Sequence, residues 1–333
     1  MKKEIFGFKI LFLFFISIAL TDLFTLRFFE NSDNGGINLG ARRLKDANSV
    51  FSTLLEVIRG IGYRKKGEEI SRRITEVFPR LGDLQSLSTH EKITALAVMI
   101  EKEIRYDESV FELPNVLQDK KANCLGYAQL VYVLGRALGL EVAIISAYLD
   151  HLSNLIKLYR DYIILDLTPI EGYYKSKVFS WEDNYTKVGS VWILKEGSPI
   201  EDGLRIIQLL DERGIIAVRY NSRGVSKVNA SDRQEAINDF TRAIRFYPDF
   251  ALAYYNRAVS QANLGLDREA ISDYYRAIEL NPCFALAYLG RGLMRYYALH
   301  QKEEALADFR EALRLDPKLS EQFPKEILAL LDK

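Results

Sequence analysis

The sequence predicts an α+β domain followed by an all-α repeat array, and two observations carry that division. Between residues 46 and 200, helical apolar periodicities give way after residue 140 to short runs rich in β-branched and aromatic residues. In the last third the chain resembles itself at a period of 34, the mark of stacked helix pairs, each unable to bury its apolar face alone. The 333 residues are enough for two domains with separate cores.

Composition narrows the function classes. With 45 basic and 45 acidic residues the formal net charge is zero, which argues against a general nucleic-acid binder. The two cysteines, Cys124 and Cys283, fall in different domains and read as separate thiols, with Cys283 a packing residue beside Pro282. Three histidines without a Cys/His cluster leave no metal site to expect, and no cofactor is expected either.

Residues 1–30 read as a signal peptide or a transmembrane anchor. Met1 to Lys9 carries three lysines, and the apolar run Ile10 to Leu20 has the length of a signal-peptide core, with Ser17-Ile18-Ala19 as a small-residue cleavage site. Counted from Ile5 to Phe29, the stretch is long enough to span a bilayer if Lys9 snorkels. Both readings place the bulk of the chain outside the cytoplasm, membrane-anchored or secreted, including to a periplasm. Residues 31–45 read as a linker.

Helical stripes follow: Val50, Leu54, Leu55 and Ile58, then Ile70, Ile74 and Val77-Phe78. Ser88-Thr89-His90-Glu91 has capping-box spacing ahead of Ile93, Leu96, Ala97, Ile100 and Ile104, and His90 reads as an exposed first-turn residue. Asn123 is a good N-cap, and Leu125 to Leu140 is apolar nearly all round, the signature of a buried helix. Its first turn carries Cys124. Unpaired backbone N–H groups and the helix dipole favour a thiolate there, and Lys120 and Lys121 are expected to add positive charge.

Val142 to Tyr148, Asn154 to Tyr159 and Tyr162 to Leu167 read as strands, the last two joined by a tight turn at Arg160-Asp161. That turn would pair Tyr159 with Tyr162 and set Asp166 opposite Leu155. Asp166 would then share a face with His151 but stand four residues, about 13 Å, along the strand, a gap for a bulge or longer turn to close. A neutral imidazole can take the proton of a thiol, and a carboxylate can orient the imidazole.

The order Cys124, His151, Asp166 resembles the transglutaminase-like superfamily, whose fold is papain-like. The resemblance covers about residues 88–170. It rests on Glu103-Ile104-Arg105-Tyr106-Asp107, on Leu117 to Cys124, on Leu138-Gly139-Leu140-Glu141-Val142, and on His151 with Leu165-Asp166-Leu167-Thr168. It implies Cys124 as nucleophile, His151 as general base then acid, and Asp166 as orienter. Two positions depart from the family pattern: Leu152-Ser153 replaces a tryptophan after the histidine, and Asp166-Leu167-Thr168 stands where Asp-Pro-Thr is common.

Beyond Thr168, Pro169 to Val188 is expected to run over the active-site face, Val191 to Leu194 to form an extra strand, and Ser198 to Gly203 to join the domains, with the repeat domain covering 201–333. At a period of 34, Tyr220, Tyr254 and Tyr288 fall in one column, Gly224, Ala258 and Gly292 in the next. Ala236, Ala270 and Ala305, then Phe240, Tyr274 and Phe309, then Ala243, Ala277 and Ala312 follow. Pro248, Pro282 and Pro317 close the units, and the third carries one extra residue in its turn. These columns resemble three tetratricopeptide repeats, at about 217–250, 251–284 and 285–318, with Leu319 to Leu331 as a capping helix.

Repeats of that family bind on the inner faces of their first helices. The resemblance therefore puts Asn221, Tyr255, Asn263, Leu289 and Tyr297 among the partner-binding positions, a mostly apolar and aromatic face suited to an apolar peptide segment or to the chain's own first domain. Two functions follow as expectations. One is an exported or membrane-anchored, cysteine-dependent acyl-transfer enzyme, an amide hydrolase or amine transferase, whose repeats recruit a protein or peptide substrate. The other is a catalytically inactive scaffold that holds partners at a membrane.

Overall fold

The computed structural model describes residues 47–147, 151–158, 161–165, 167, 176–179, 185–188, 191–195, 206–229 and 232–331. The segment 1–30, the linker 31–45, Asp166 and the joint at 198–203 lie outside them. The chain divides into two compact units, the principal division falling between Ile216 and Ala217.

The first unit begins with helices α1 (Ala47–Gly60), α2 (Gly67–Val77) and α3 (Thr89–Glu103), with a 3-10 turn at Leu81–Ser86. Their stripes form a core: Leu54, Ile58, Ile70, Ile74, Phe78, Ile93, Leu96 and Ile100 are buried. The capping box at Ser88 forms in both directions, with the Glu91 N–H donating to Ser88 Oγ and the Ser88 N–H to Glu91 Oε2 at 2.9 Å. Next come β1 (Arg105–Tyr106), α4 (Leu113–Asp119), β2 (Lys121–Ala122) and α5 (Cys124–Ala137). Strands β1 and β2 pair in parallel, Arg105 with Lys121 and Tyr106 with Ala122. Helix α5 stops at Leu138 because Gly139 turns left-handed, with φ 78°.

Strands β3 (Val142–Ala147), β4 (His151–Leu158), β5 (Asp161–Leu165), β6 (Ser176–Phe179), β7 (Tyr185–Val188), β8 (Val191–Leu194) and β9 (Ile206–Leu210) form one sheet of order β6-β5-β4-β3-β9-β8-β7. Helix α5 packs on β3 and β4. A Cβ on Gly135 would lie 2.8 Å from Val142 Cγ2, so the helix approaches the sheet as closely as a glycine permits. The other face buries Ile145, Leu155, Ile164, Tyr185 and Ile207 together.

Two expectations are corrected here. The β4–β5 register is shifted by two residues: Leu158 pairs with Asp161, and Leu155 pairs with Ile164 in place of position 166. A shift of two keeps every side chain on its own face, so apolar alternation does not tell the two registers apart and the position of the turn alone sets the register. The sheet also extends past residue 200. Strand β9 pairs antiparallel with β3, Ile144 against Leu210 and Ala147 against Ile207, so the first unit runs on into the segment assigned to the repeats. A short apolar run such as Ile206 to Leu210 carries no period that would identify it as a strand.

Helix α6 (Glu212–Asn229) crosses the division, and α7 (Arg233–Phe246) pairs with it. The pairs α8 (Ala251–Asn263) with α9 (Asp267–Leu280) and α10 (Ala285–Tyr297) with α11 (Lys302–Leu315) follow. The small-residue column exists because an aromatic presses on it. A Cβ on Gly224 would lie 2.6 Å from the Phe240 ring, and one on Gly292 would lie 2.6 Å from Phe309. The extra residue of the third unit sits in a turn where His300 adopts φ 58°, the role Gly265 plays one unit earlier with φ 76°.

The expected capping helix at 319–331 is in fact two pieces, a 3-10 turn at Pro317–Gln322 and α12 (Lys325–Leu331). Pro324 separates them, since it has no N–H to continue a ladder and pushes the residue before it into extended backbone. Leu319, Phe323 and Ile327 still cover the last apolar face, packed with Phe309.

One further device repeats through the three units. Arg223, Arg257 and Arg291 each grip an aspartate of the second helix: Nε to Asp239 at 2.7 Å, to Asp273 at 2.7 Å and to Asp308 at 3.0 Å. The same arginines lie over Tyr220, Tyr254 and Tyr288, at 4.7, 5.6 and 5.3 Å from the ring centroids. Writing the 34-residue columns out in full would have exposed both the Arg and the Asp columns.

Candidate active site

Cys124 is the first residue of α5, as its capping residue dictates. The Asn123 backbone is extended, and its Oδ1 accepts the Gly126 N–H at 3.1 Å. Apart from Cys124, partly exposed, and Arg136, exposed, every residue of α5 is buried. The thiol thus stands partly exposed at the capped N-terminal end of the helix, where the dipole favours its anion.

The preceding segment is tied to this helix start. The Asn123 N–H donates to Val110 O at 2.7 Å and its Nδ2 to Glu108 O at 3.1 Å, while the Asp107 N–H donates to Ala122 O at 3.0 Å. Gly126 makes the fit possible: a Cβ there would lie 2.8 Å from Ala122 Cβ and 3.0 Å from Val116 Cγ2. The two lysines expected to add positive charge are instead compensated. Lys120 pairs with Glu103 and Lys121 with Asp107, each at 3.0 Å. Hydrogen bonds from Ser109 and Lys121 hold the Asp107 carboxyl down at about 2.

His151 opens β4, three residues earlier than the strand was expected to begin, with its backbone opposite Ala147. One bond fastens this strand to the cysteine helix: Asn154 Nδ2 donates to Ala128 O at 3.0 Å. Ala128 is one helical turn beyond Cys124, and Asn154 is three residues beyond His151. Side chains alternate along β4. Asn154 reaches α5, while Leu155 packs on the opposite face. Asp166 lies outside the described residues.

Four polar residues near the helix start had no assigned role. Gln129 is fully buried, its Nε2 donating to Phe111 O at 2.8 Å. The Tyr63 hydroxyl accepts the Leu113 N–H at 2.9 Å, and its one proton serves either Glu112 Oε2 at 2.7 Å or Gln129 Oε1 at 3.1 Å. A lone glutamine in an otherwise apolar helix was the signal, because a buried amide needs partners. Tyr127 donates its hydroxyl to Ile104 O at 3.0 Å, and burial raises its phenol to about 12. Tyr106 pairs with Ala122, two residues before the thiol. Burial first, then the nearby charges of Cys124, Glu108, Asp107 and Tyr127, raise its phenol to about 12.

In the repeat unit, Asn221, Tyr255 and Leu289 are buried, at 6%, 8% and 1% exposure. Asn221 Oδ1 accepts from Asn256 Nδ2 at 2.9 Å, so it ladders adjacent helices and is not presented to a partner. The Tyr297 hydroxyl donates to Glu326 Oε1 at 3.0 Å, and Asn263 Nδ2 to Val259 O at 2.9 Å. Tyr255 and Leu289 nevertheless line a small cleft with Val259, Tyr274, Leu286 and Leu293. The apolar character expected of this face holds there.

Residues 81–194 match the transglutaminase-like superfamily, and residues 251–282 and 287–319 match the tetratricopeptide repeat. No curated protein matches the chain. Similar solved structures include the second repeat domain of Spaghetti (RPAP3) bound to an HSP90 peptide, 30% identical over 30% of this chain and 92% of that one, with TM-score 0.29. The Arabidopsis OM64 repeat domain is 28% identical over 36% of this chain and 97% of its own, with TM-score 0.34. MamA is 26% identical over 33% and 68%, with TM-score 0.30.

Proposed function

We propose, for a chain that carries a transglutaminase-like domain followed by tetratricopeptide repeats, a cysteine-dependent acyl-transfer activity on an amide or ester carbonyl. The Cys124 sulfur attacks the carbonyl carbon, His151 takes and later returns the proton, and Asp166 orients the imidazole. The resulting thioester is resolved by water or by an amine. The Cys124 N–H is one donor to the oxyanion. What chiefly supports this reading is the placement of Cys124 at the capped, surface-reaching end of a buried helix that Asn154 fastens to the strand opened by His151.

The repeats would present the apolar cleft to a peptide segment of the substrate protein. Residues 1–30 would act as leader or anchor. Among the described residues, no helix is long and apolar enough to cross a membrane. Cell fractionation of the chain with and without residues 1–30 tests the anchor, with loss of membrane association or export as the expected result and unchanged partition as the contrary one.

A second reading is the inactive scaffold, and the pairing of Lys120 with Glu103 and Lys121 with Asp107, which cancels positive charge ahead of the thiol, is the observation that favours it. Iodoacetamide separates the two. At neutral pH Cys124 is expected to alkylate at least about 10-fold faster than Cys283, and His151→Ala to slow Cys124 by a similar factor. Slow, equal labelling of both thiols would leave the scaffold.

A further inference from the structure

We infer that the Tyr106 hydroxyl is the side-chain donor to the oxyanion formed when the Cys124 sulfur adds to an acyl carbonyl. The inference rests on the acyl-transfer reading above, for which it supplies the second donor. Its basis is the way residues 104–110 wrap the helix start. Ile104 O accepts from the Tyr127 hydroxyl, one turn beyond the thiol on the same helix face. Ala122 O accepts from the Asp107 N–H, and Val110 O and Glu108 O from Asn123. Tyr106 stands in the middle of this clamp, paired with Ala122 across β1 and β2.

Tyr106 and Cys124 are both only partly buried, so neither is sealed from solvent. The causes that raise the phenol to about 12, burial first and then the charge on the Cys124 sulfur, keep it protonated at neutral pH. A protonated phenol beside a thiolate is a hydrogen-bond donor held ready for negative charge. By contrast, the Tyr127 proton is already committed to Ile104 O.

With p-nitrophenyl acetate as the probe, the sulfur forms the S–C bond while the carbonyl π pair moves onto oxygen. Tyr106 O–H and the Cys124 N–H donate to that oxygen. The pair then returns, the C–O bond breaks, and p-nitrophenolate leaves S-acetylated Cys124, which water hydrolyses to acetate and thiol. Iodoacetamide alkylates the same sulfur by displacing iodide from carbon, with no oxyanion.

The comparison of these two reactions on the full chain is the test. Tyr106→Phe is expected to slow the p-nitrophenol burst about 100-fold while leaving the Cys124 alkylation rate within about twofold. Tyr127→Phe, which removes a neighbouring phenol, is expected to leave the ratio of the two rates unchanged. Equal slowing of both reactions by Tyr106→Phe would make Tyr106 a mere support for the thiolate and overturn the inference. So would an unchanged burst. A burst that survives Cys124→Ala would instead sink the acyl-transfer reading itself, and this inference with it.

Discussion

Asp308→Ala is expected to cost about 3–5 kcal/mol in the last repeat, the largest loss among the three aspartates of the arginine grip. Asp308 is 4% exposed and carries two cations that are themselves covered, Arg291 at 12% and Arg295 at 13%. Removing the carboxylate strands both guanidinium groups where water cannot easily replace it. The contrast is Asp239, equally buried, whose partners Arg223, Arg242 and Lys227 are 43%, 53% and 28% exposed. Those cations can rehydrate, so Asp239→Ala is expected to cost about half as much. Hydrogen exchange in the full chain, at the amides of α10 and α11 for Asp308→Ala and of α6 and α7 for Asp239→Ala, reads the two losses locally. Equal protection loss for the two variants would show that the exposure of the partner cations does not set the cost.

Gly126→Val is expected to destabilise the first unit by about 3 kcal/mol and to slow alkylation of Cys124. The new side chain would meet Ala122 Cβ, Val116 Cγ2 and the Val110 carbonyl within 3.2 Å. None of the three is the end of a flexible side chain, and the Val110 carbonyl is also the acceptor for the Asn123 N–H. Relief therefore requires α5 to lift at the turn that carries the thiol. Gly126→Ala is milder, because alanine returns about 1 kcal/mol of helix propensity against a smaller clash. Denaturant unfolding together with the iodoacetamide rate measures both effects. A folded Gly126→Val protein that alkylates at the original rate would show that the helix start does not activate Cys124.

Much of this was legible because the signals are local. A capping box fixes where α3 begins, and Asn123 fixes where α5 begins, so the position of Cys124 at a helix start followed from a few neighbours in sequence. The repeat columns were legible for another reason: each unit must offer the next the same surface, as Phe240 against Gly224 and Phe309 against Gly292 show. The Arg and Asp columns were equally visible at that period. They were missed because a charged residue on a helix is ordinarily solvated, and only the pairing reveals its burial.

The rest was decided between elements far apart in the chain. Strand β9 enters the sheet from a short apolar run that carries no period, and its place is set by its partners β3 and β8. The β4–β5 register moved by two residues, a shift that leaves every side chain on its own face and that no apolar alternation can therefore pin. Tyr106 is set opposite Ala122, two residues before the thiol, by the pairing of β1 with β2, which no spacing announces. The sequence alone determined the two architectures and the helix that presents Cys124, since caps and periods are written in adjacent residues. The tertiary structure alone decided which strand meets which and what surrounds the sulfur, since those depend on surfaces that exist only once both partners are folded.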